Sequence, residues 1–99
     1  MFVILTTKPG QYHTEGGEGL EPVERYVYSL CGKTRAHFTI ARLDAPTRVK
    51  VVDDTPPQVV NYVPSKFLPS FQTVEAARRE LAELVRSGGR DFALTAVDL

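Results

Sequence analysis

The sequence predicts an α+β fold in which a small, mainly antiparallel sheet, with elements in the order ββββαβ, packs against one amphipathic helix near the C-terminus. Three observations predict it. Residues 23–31 and 36–41 each alternate apolar and polar side chains at the period of a strand, on either side of a glycine-containing turn. Residues 73–87 set Val74, Ala77, Leu81, Leu84 and Val85 along one helical face. Ninety-nine residues are about the length of one domain, so residues 1–99 are read as a single unit around one core.

The first element is residues 2–7, a β-rich run stopped by Lys8, Pro9 and Gly10. Its apolar residues are continuous rather than alternating, which predicts a strand covered on both faces. Residues 8–22 carry Gly10, Gly16, Gly17 and Gly19 among Glu15, Glu18 and Glu21. That composition predicts a mobile loop.

Residues 23–31 and 36–41 then form a hairpin. A three-residue loop, Gly32, Lys33 and Thr34, would put Leu30, Tyr28 and Tyr26 opposite Ala36, Phe38 and Ile40, uniting the two apolar sets. A two-residue loop would mix the faces. Turn chemistry at Asp44, Ala45, Pro46 and Thr47 leads into residues 48–53, with Val49 and Val51 inward, as the third member of a meander.

Residues 54–72 contain Pro56, Pro57, Pro64 and Pro69, which forbid a continuous helix or a central strand. Val59, Val60, Tyr62, Val63, Phe67, Leu68 and Phe71 nevertheless make this connection too apolar for a solvated loop, so it covers something. A helical turn is expected near 65–68. The helix of 73–87 has Thr73 as its N-cap, Glu75 in its first turn and Gly88 and Gly89 as its stop, with an outer Glu75–Arg79 pair. Residues 92–97 are a last strand, expected to cross over parallel to the first.

Composition limits the function classes. Twelve basic and twelve acidic residues cancel, so no global field draws in nucleic acid or an anionic membrane, and the near-neutral surface favours self-association into a homodimer. Cys31 is the one cysteine, which excludes an intramolecular disulfide and a cysteine-rich zinc site and fits a reducing, cytoplasmic setting. The apolar start lacks the basic region and cleavage pattern of a secretory signal, and no stretch approaches the ~20 residues of a membrane span.

Several side-chain sets invite a chemical reading. Cys31 and His37 would lie diagonally near one another on the outer face of the hairpin, a thiol beside an imidazole. No orienting third group or oxyanion donors accompany them, so no catalytic residue is assigned. His13 with Glu15, Glu18 and Glu21 offers nitrogen and oxygen donors at no established metal spacing, and a solvated acidic loop is preferred. The Gly16–Gly19 run lacks the Gly-Lys-Ser/Thr of a phosphate loop. No metal or cofactor is expected.

Function is therefore read from surfaces. The leading expectation is a small, non-catalytic accessory or protein-interaction domain. It would meet a larger, unidentified protein partner through the sheet edge or through the aromatic loop, where Tyr62, Phe67 and Phe71 would be the anchors, since aromatic side chains dominate interface centres. The same segment could instead be a lid over the protein's own core. The alternative function is a ligand-binding domain or minor enzyme, with Tyr26, Tyr28 and His37 lining a cavity between the sheet and residues 56–71. A weak nucleic-acid binder using Lys33, Arg35, Arg42, Arg48 and Lys50, with Tyr26 and Tyr28 as stacking platforms, comes third.

Overall fold

The strands divide between two sheets rather than one, and the tyrosine hairpin belongs to the larger. The computed structural model describes residues 1–89 and 91–99. Its elements are β1 (Phe2–Thr7), β2 (Tyr12–Glu15), β3 (Leu20–Leu30), β4 (Lys33–Leu43), β5 (Arg48–Asp53), β6 (Val60–Pro64), a 3-10 turn (Ser65–Phe67), β7 (Ser70–Phe71), α1 (Val74–Gly88) and β8 (Phe92–Val97). A five-stranded sheet has the order β7-β1-β4-β3-β8 and a three-stranded sheet the order β2-β5-β6. Every strand pairing is antiparallel. The α+β class predicted from the sequence, with its single helix near the C-terminus, is what the chain adopts.

The core has two halves separated by the larger sheet. On one side Ile4, Ala36, Phe38 and Ile40 meet Ala77 and Leu81 of α1, with Tyr26, Tyr28 and Phe71 packed around them. On the other, Val3, Leu5 and Ala41 meet Val49, joined by Val51, Val63 and Leu68. This explains the unbroken apolar run of β1. Ile4 faces the helix while Val3 and Leu5 face the smaller sheet, so both sides of the strand are covered, as its sequence demands.

α1 forms as its sequence predicts. Thr73 Oγ1 accepts from the Ala76 N–H at 3.0 Å, capping one of the first-turn donors. Gly89 follows the helix with φ +98°, a value that favours glycine. Ala77 and Leu81 are buried, but Leu84 is 40% exposed, so the apolar face outlasts the surface that covers it. The Glu75–Arg79 pair expected on the outer face does not occur among the described residues. Arg78 instead reaches Glu24 on β3, and Arg86 reaches Glu83.

Two β-bulges reconcile the hairpin with its packing. The turn is the two-residue loop Cys31 and Gly32, with φ +51° and +79°, a conformation suited to a tight hairpin, and Leu30 pairs Lys33. The expected three-residue loop, with Leu30 opposite Ala36, is thus replaced by a register that places Tyr28 opposite Ala36 and Tyr26 opposite Phe38. An extra residue at Arg35 restores the parity that a two-residue loop would have broken, so both apolar sets still share one face. A second bulge at Val23, beside Pro22, flips the strand's alternation. Leu20 packs toward the smaller sheet while Tyr26 and Tyr28 pack toward the helix.

Other expectations are corrected by the same crowding. Residues 8–22 are not one loop: Tyr12–Glu15 pairs with β5, and β3 begins at Leu20. β4 is already flanked by β1 and β3, so β5 cannot extend the meander and joins the second sheet. β1 is flanked by β4 and β7, so β8 cannot lie parallel to it and instead pairs antiparallel with β3. The connection 54–72 supplies two more strands, both at edges, where proline is tolerated. The full order is thus richer than ββββαβ by β2, β6 and β7.

Candidate functional site

β6 leaves the body of the protein with an open side. Asp53 donates to the Val59 carbonyl at 3.0 Å and Ser65 to the Thr47 carbonyl at 2.8 Å, bracketing a ladder in which Asn61 faces Val51 and Val63 faces Val49. Antiparallel bonding alternates, so residues 59, 61, 63 and 65 direct their backbone groups toward β5. Val60, Tyr62 and Pro64 direct theirs away. Pro64 contributes only a carbonyl, which leaves the N–H groups of Val60 and Tyr62 as the donors on this edge. Among the described residues no backbone hydrogen bond outside the β5 pairing engages them.

The aromatic residues expected to anchor a partner divide between surface and interior. Tyr62 on β6 is 61% exposed and Phe67, in the 3-10 turn that follows directly, is 70% exposed. The Lys66 ammonium lies 5.3 Å from the centre of the Phe67 ring. Phe71 turns inward and joins the helix-side core. Residues 56–71 thus cover the protein's own core in part and expose two aromatic rings. Val63, Leu68 and Phe71 cover the two core halves, while Tyr62 and Phe67 stand outside.

Tyr26, Tyr28 and His37 are not brought together. Both tyrosines pack against the helix-side core, whereas His37, adjacent to Phe38 on β4, points to the opposite face of the sheet. A cavity of about 260 Å3 does lie beneath residues 63–69, but Leu5, Tyr12, Thr14, Val49 and Val63 are among the residues that line it, and none of the three predicted ones is. Cys31 and His37 are also apart. His37 pairs Val27, four residues along the strand from Cys31, a separation of about 13 Å.

The charged residues form separate local ties. The Glu24 carboxylate accepts from Arg78 Nε at 2.8 Å, from Arg78 Nη2 and from the Tyr26 hydroxyl at 2.6 Å, linking β3 to α1. The Arg78 guanidinium holds the Glu24 carboxyl down at about 2, with the tyrosine hydroxyl assisting. Burial and the adjacent carboxylate push the Tyr26 hydroxyl up. This occupied hydroxyl and the half-buried ring packed on the helix-side core place Tyr26 poorly for a stacking platform. Arg42, one of the cations considered for nucleic acid, is held between Glu21 and Asp44.

His13 finds a different partner set from the one its sequence neighbours suggested. Its Nδ1 lies 2.9 Å from Asp54 Oδ1 and its Nε2 lies 3.4 Å from Glu15, which β2 places on the same face. Glu21 is engaged elsewhere, with Arg42. The hydrogen bond to Asp54 raises the His13 pKa, against a smaller opposing effect of desolvation. Asp54 also accepts the Gly10 N–H at 3.1 Å, so this cluster ties the 8–11 turn to the end of β5.

Sequence reasoning named a sheet edge as a contact surface but missed that Val60–Pro64 is itself an edge strand. A signal was present: residues 59–63 are β-branched or aromatic at four of five positions, and Pro64 at the end of an edge strand is permitted. No protein-family model matches the chain, and no curated protein or solved structure shows a significant match to it. No described helix is long and apolar enough to cross a membrane.

Proposed function

We propose that the chain is a small, non-catalytic protein-interaction domain that receives an extended strand on the open edge of β6, a second copy of the chain being the occupant that makes a homodimer. The observation that carries this reading is the juxtaposition, on one short element, of outward backbone donors at Val60 and Tyr62 with the exposed rings of Tyr62 and Phe67. Edge strands are ordinarily blunted by lysine, proline or a covering loop. β6 carries no charged residue, and its one proline guards only its end. Added-strand recognition takes its affinity from main-chain hydrogen bonds and its specificity from the side chains beside them. Two copies related by a two-fold axis pair antiparallel with the same patch on each side, and a chain of zero formal charge offers little repulsion.

The test is sedimentation velocity across a concentration series, paired with Tyr62→Pro. Proline at this position removes an outward N–H and leaves the inward bonds of residues 61 and 63 in place, so the variant folds. The parent is expected to self-associate reversibly and the variant to remain monomeric. A parent that stays monomeric at the highest attainable concentration, with fast amide exchange at Val60 and Tyr62, removes this reading.

A further inference from the structure

A second feature, built from other elements, has the character of a small-molecule site. α1 ends at Gly88 against Tyr28 and Phe92, and its last turns leave Leu84 40% exposed beside the β3–β4 hairpin. The result is a cleft of about 430 Å3, within the range of about 300–1,000 Å3 usual for small-molecule sites. Tyr28, Phe38 and Phe92 supply its aromatic surface. Tyr28 and Phe92 stack with centroids 5.0 Å apart, and Tyr28 tilts against Phe38 at 5.9 Å, so these walls hold one another in place.

The charged residues of the cleft share one sign. Lys8 and Arg35 line it, and no carboxylate does. Among the described residues neither cation has an acidic partner within 4.0 Å, although Arg42, Lys50, Arg78 and Arg86 all do. Local backbone features place both. Arg35 is the extra residue of the β4 bulge, a device that re-aims a side chain, and Lys8 is fixed by the turn in which its N–H donates to the Tyr12 carbonyl and its carbonyl accepts from Gln11.

We propose that this cleft binds a small amphipathic carboxylate, with its aromatic or short aliphatic body against Tyr28, Phe38 and Phe92 and its anionic head between Lys8 and Arg35. Charge complementarity selects the occupant. A cationic ligand would bring like charges together, and a neutral one would leave both cations without an anion.

The test is a titration followed by amide NMR with three probes of one shape: 3-phenylpropanoate, 3-phenylpropanol and 3-phenylpropylamine. The expected result is a saturable shift at Leu30, Ala36 and Phe92, with the carboxylate binding at least about tenfold more tightly than the alcohol or the amine. Lys8→Gln combined with Arg35→Gln, both at exposed positions, should retain the parent's circular dichroism. Its affinity for the carboxylate should fall about tenfold, to that of the alcohol. Equal affinity for the three probes, shifts confined to other residues, an undiminished double variant, or no saturable shift at millimolar concentration would each overturn the proposal. Because β6 takes no part, a negative result here leaves the strand-docking reading standing, and the reverse also holds.

Discussion

Replacing Gly88 by alanine separates helix propensity from tertiary packing, because the two predict opposite signs. Gly88 is the last residue of α1, and alanine is favoured over glycine in a helix interior by about 1 kcal/mol. A Cβ built on Gly88 would lie 2.8 Å from Phe92 Cδ2 and 2.8 Å from the Tyr28 hydroxyl oxygen. Favourable carbon contacts begin at about 3.5 Å, so the rings would have to retreat by about 0.7 Å. Tyr28 is wedged between Phe92 and Phe38 and cannot move without opening one of those contacts. Overpacking of this kind costs about 1–3 kcal/mol, so the net expectation is a loss of about 1 kcal/mol. In a domain of this size that lowers Tm by about 4–8 °C. Urea and thermal denaturation of Gly88→Ala, with Ala82→Gly at an exposed helical position to calibrate propensity alone, would measure it. A variant as stable as the parent, or more so, would refute the claimed contact between the helix end and the aromatic stack.

Leu81→Ala, at a side chain 2% exposed between α1 and the larger sheet, should cost about 3 kcal/mol and lower Tm on the order of 15 °C. A shift of only a few degrees in a thermal melt would mean that the helix does not seal that half of the core. Glu24 has its pKa depressed from 4.5 to about 2, so its contribution is complete above pH 4.5 and lost as pH falls through 2. Urea midpoints should show the parent ahead of Glu24→Gln at neutral pH and converging with it in acid; a constant gap would argue against the Arg78 tie. His13 has the opposite sign. Its pKa is raised above 6.5, so its stabilisation is complete below that value and lost as pH rises through the folded pKa. Melts of the parent and His13→Gln should differ at pH 5.5 and coincide in mild alkali, and an NMR titration placing the His13 pKa below 6.5 would contradict the Asp54 contact.

Local signals proved legible where a residue's neighbours in sequence are also its physical environment. Thr73 caps the helix it precedes, Ala77 and Leu81 fall on the buried stripe, and the alternation in 23–31 and 36–41 yields paired strands. The strand edges were harder to see. β2 lies in a segment whose glycines speak for a loop, and its pairing with β5 depends on a strand more than thirty residues away. β6 was obscured by prolines that exclude a central strand but not an edge. Of the residues expected to anchor a partner, Tyr62 and Phe67 are exposed and Phe71 is not, a division that composition cannot express.

By itself the chain's apolar pattern determined that there would be a tyrosine hairpin, a doubly covered first strand and one amphipathic helix, because each follows from a period of two or 3.6 residues read over a short window. Only the tertiary structure decided that β5 leaves the first sheet, that β8 takes the outer edge of β3, that Arg35 and Val23 bulge, and that Leu84 stays exposed beside the hairpin. Those outcomes depend on which strand edges are already occupied. Occupancy is a property of the assembled fold, set by partners distant in the chain, and no local period encodes it.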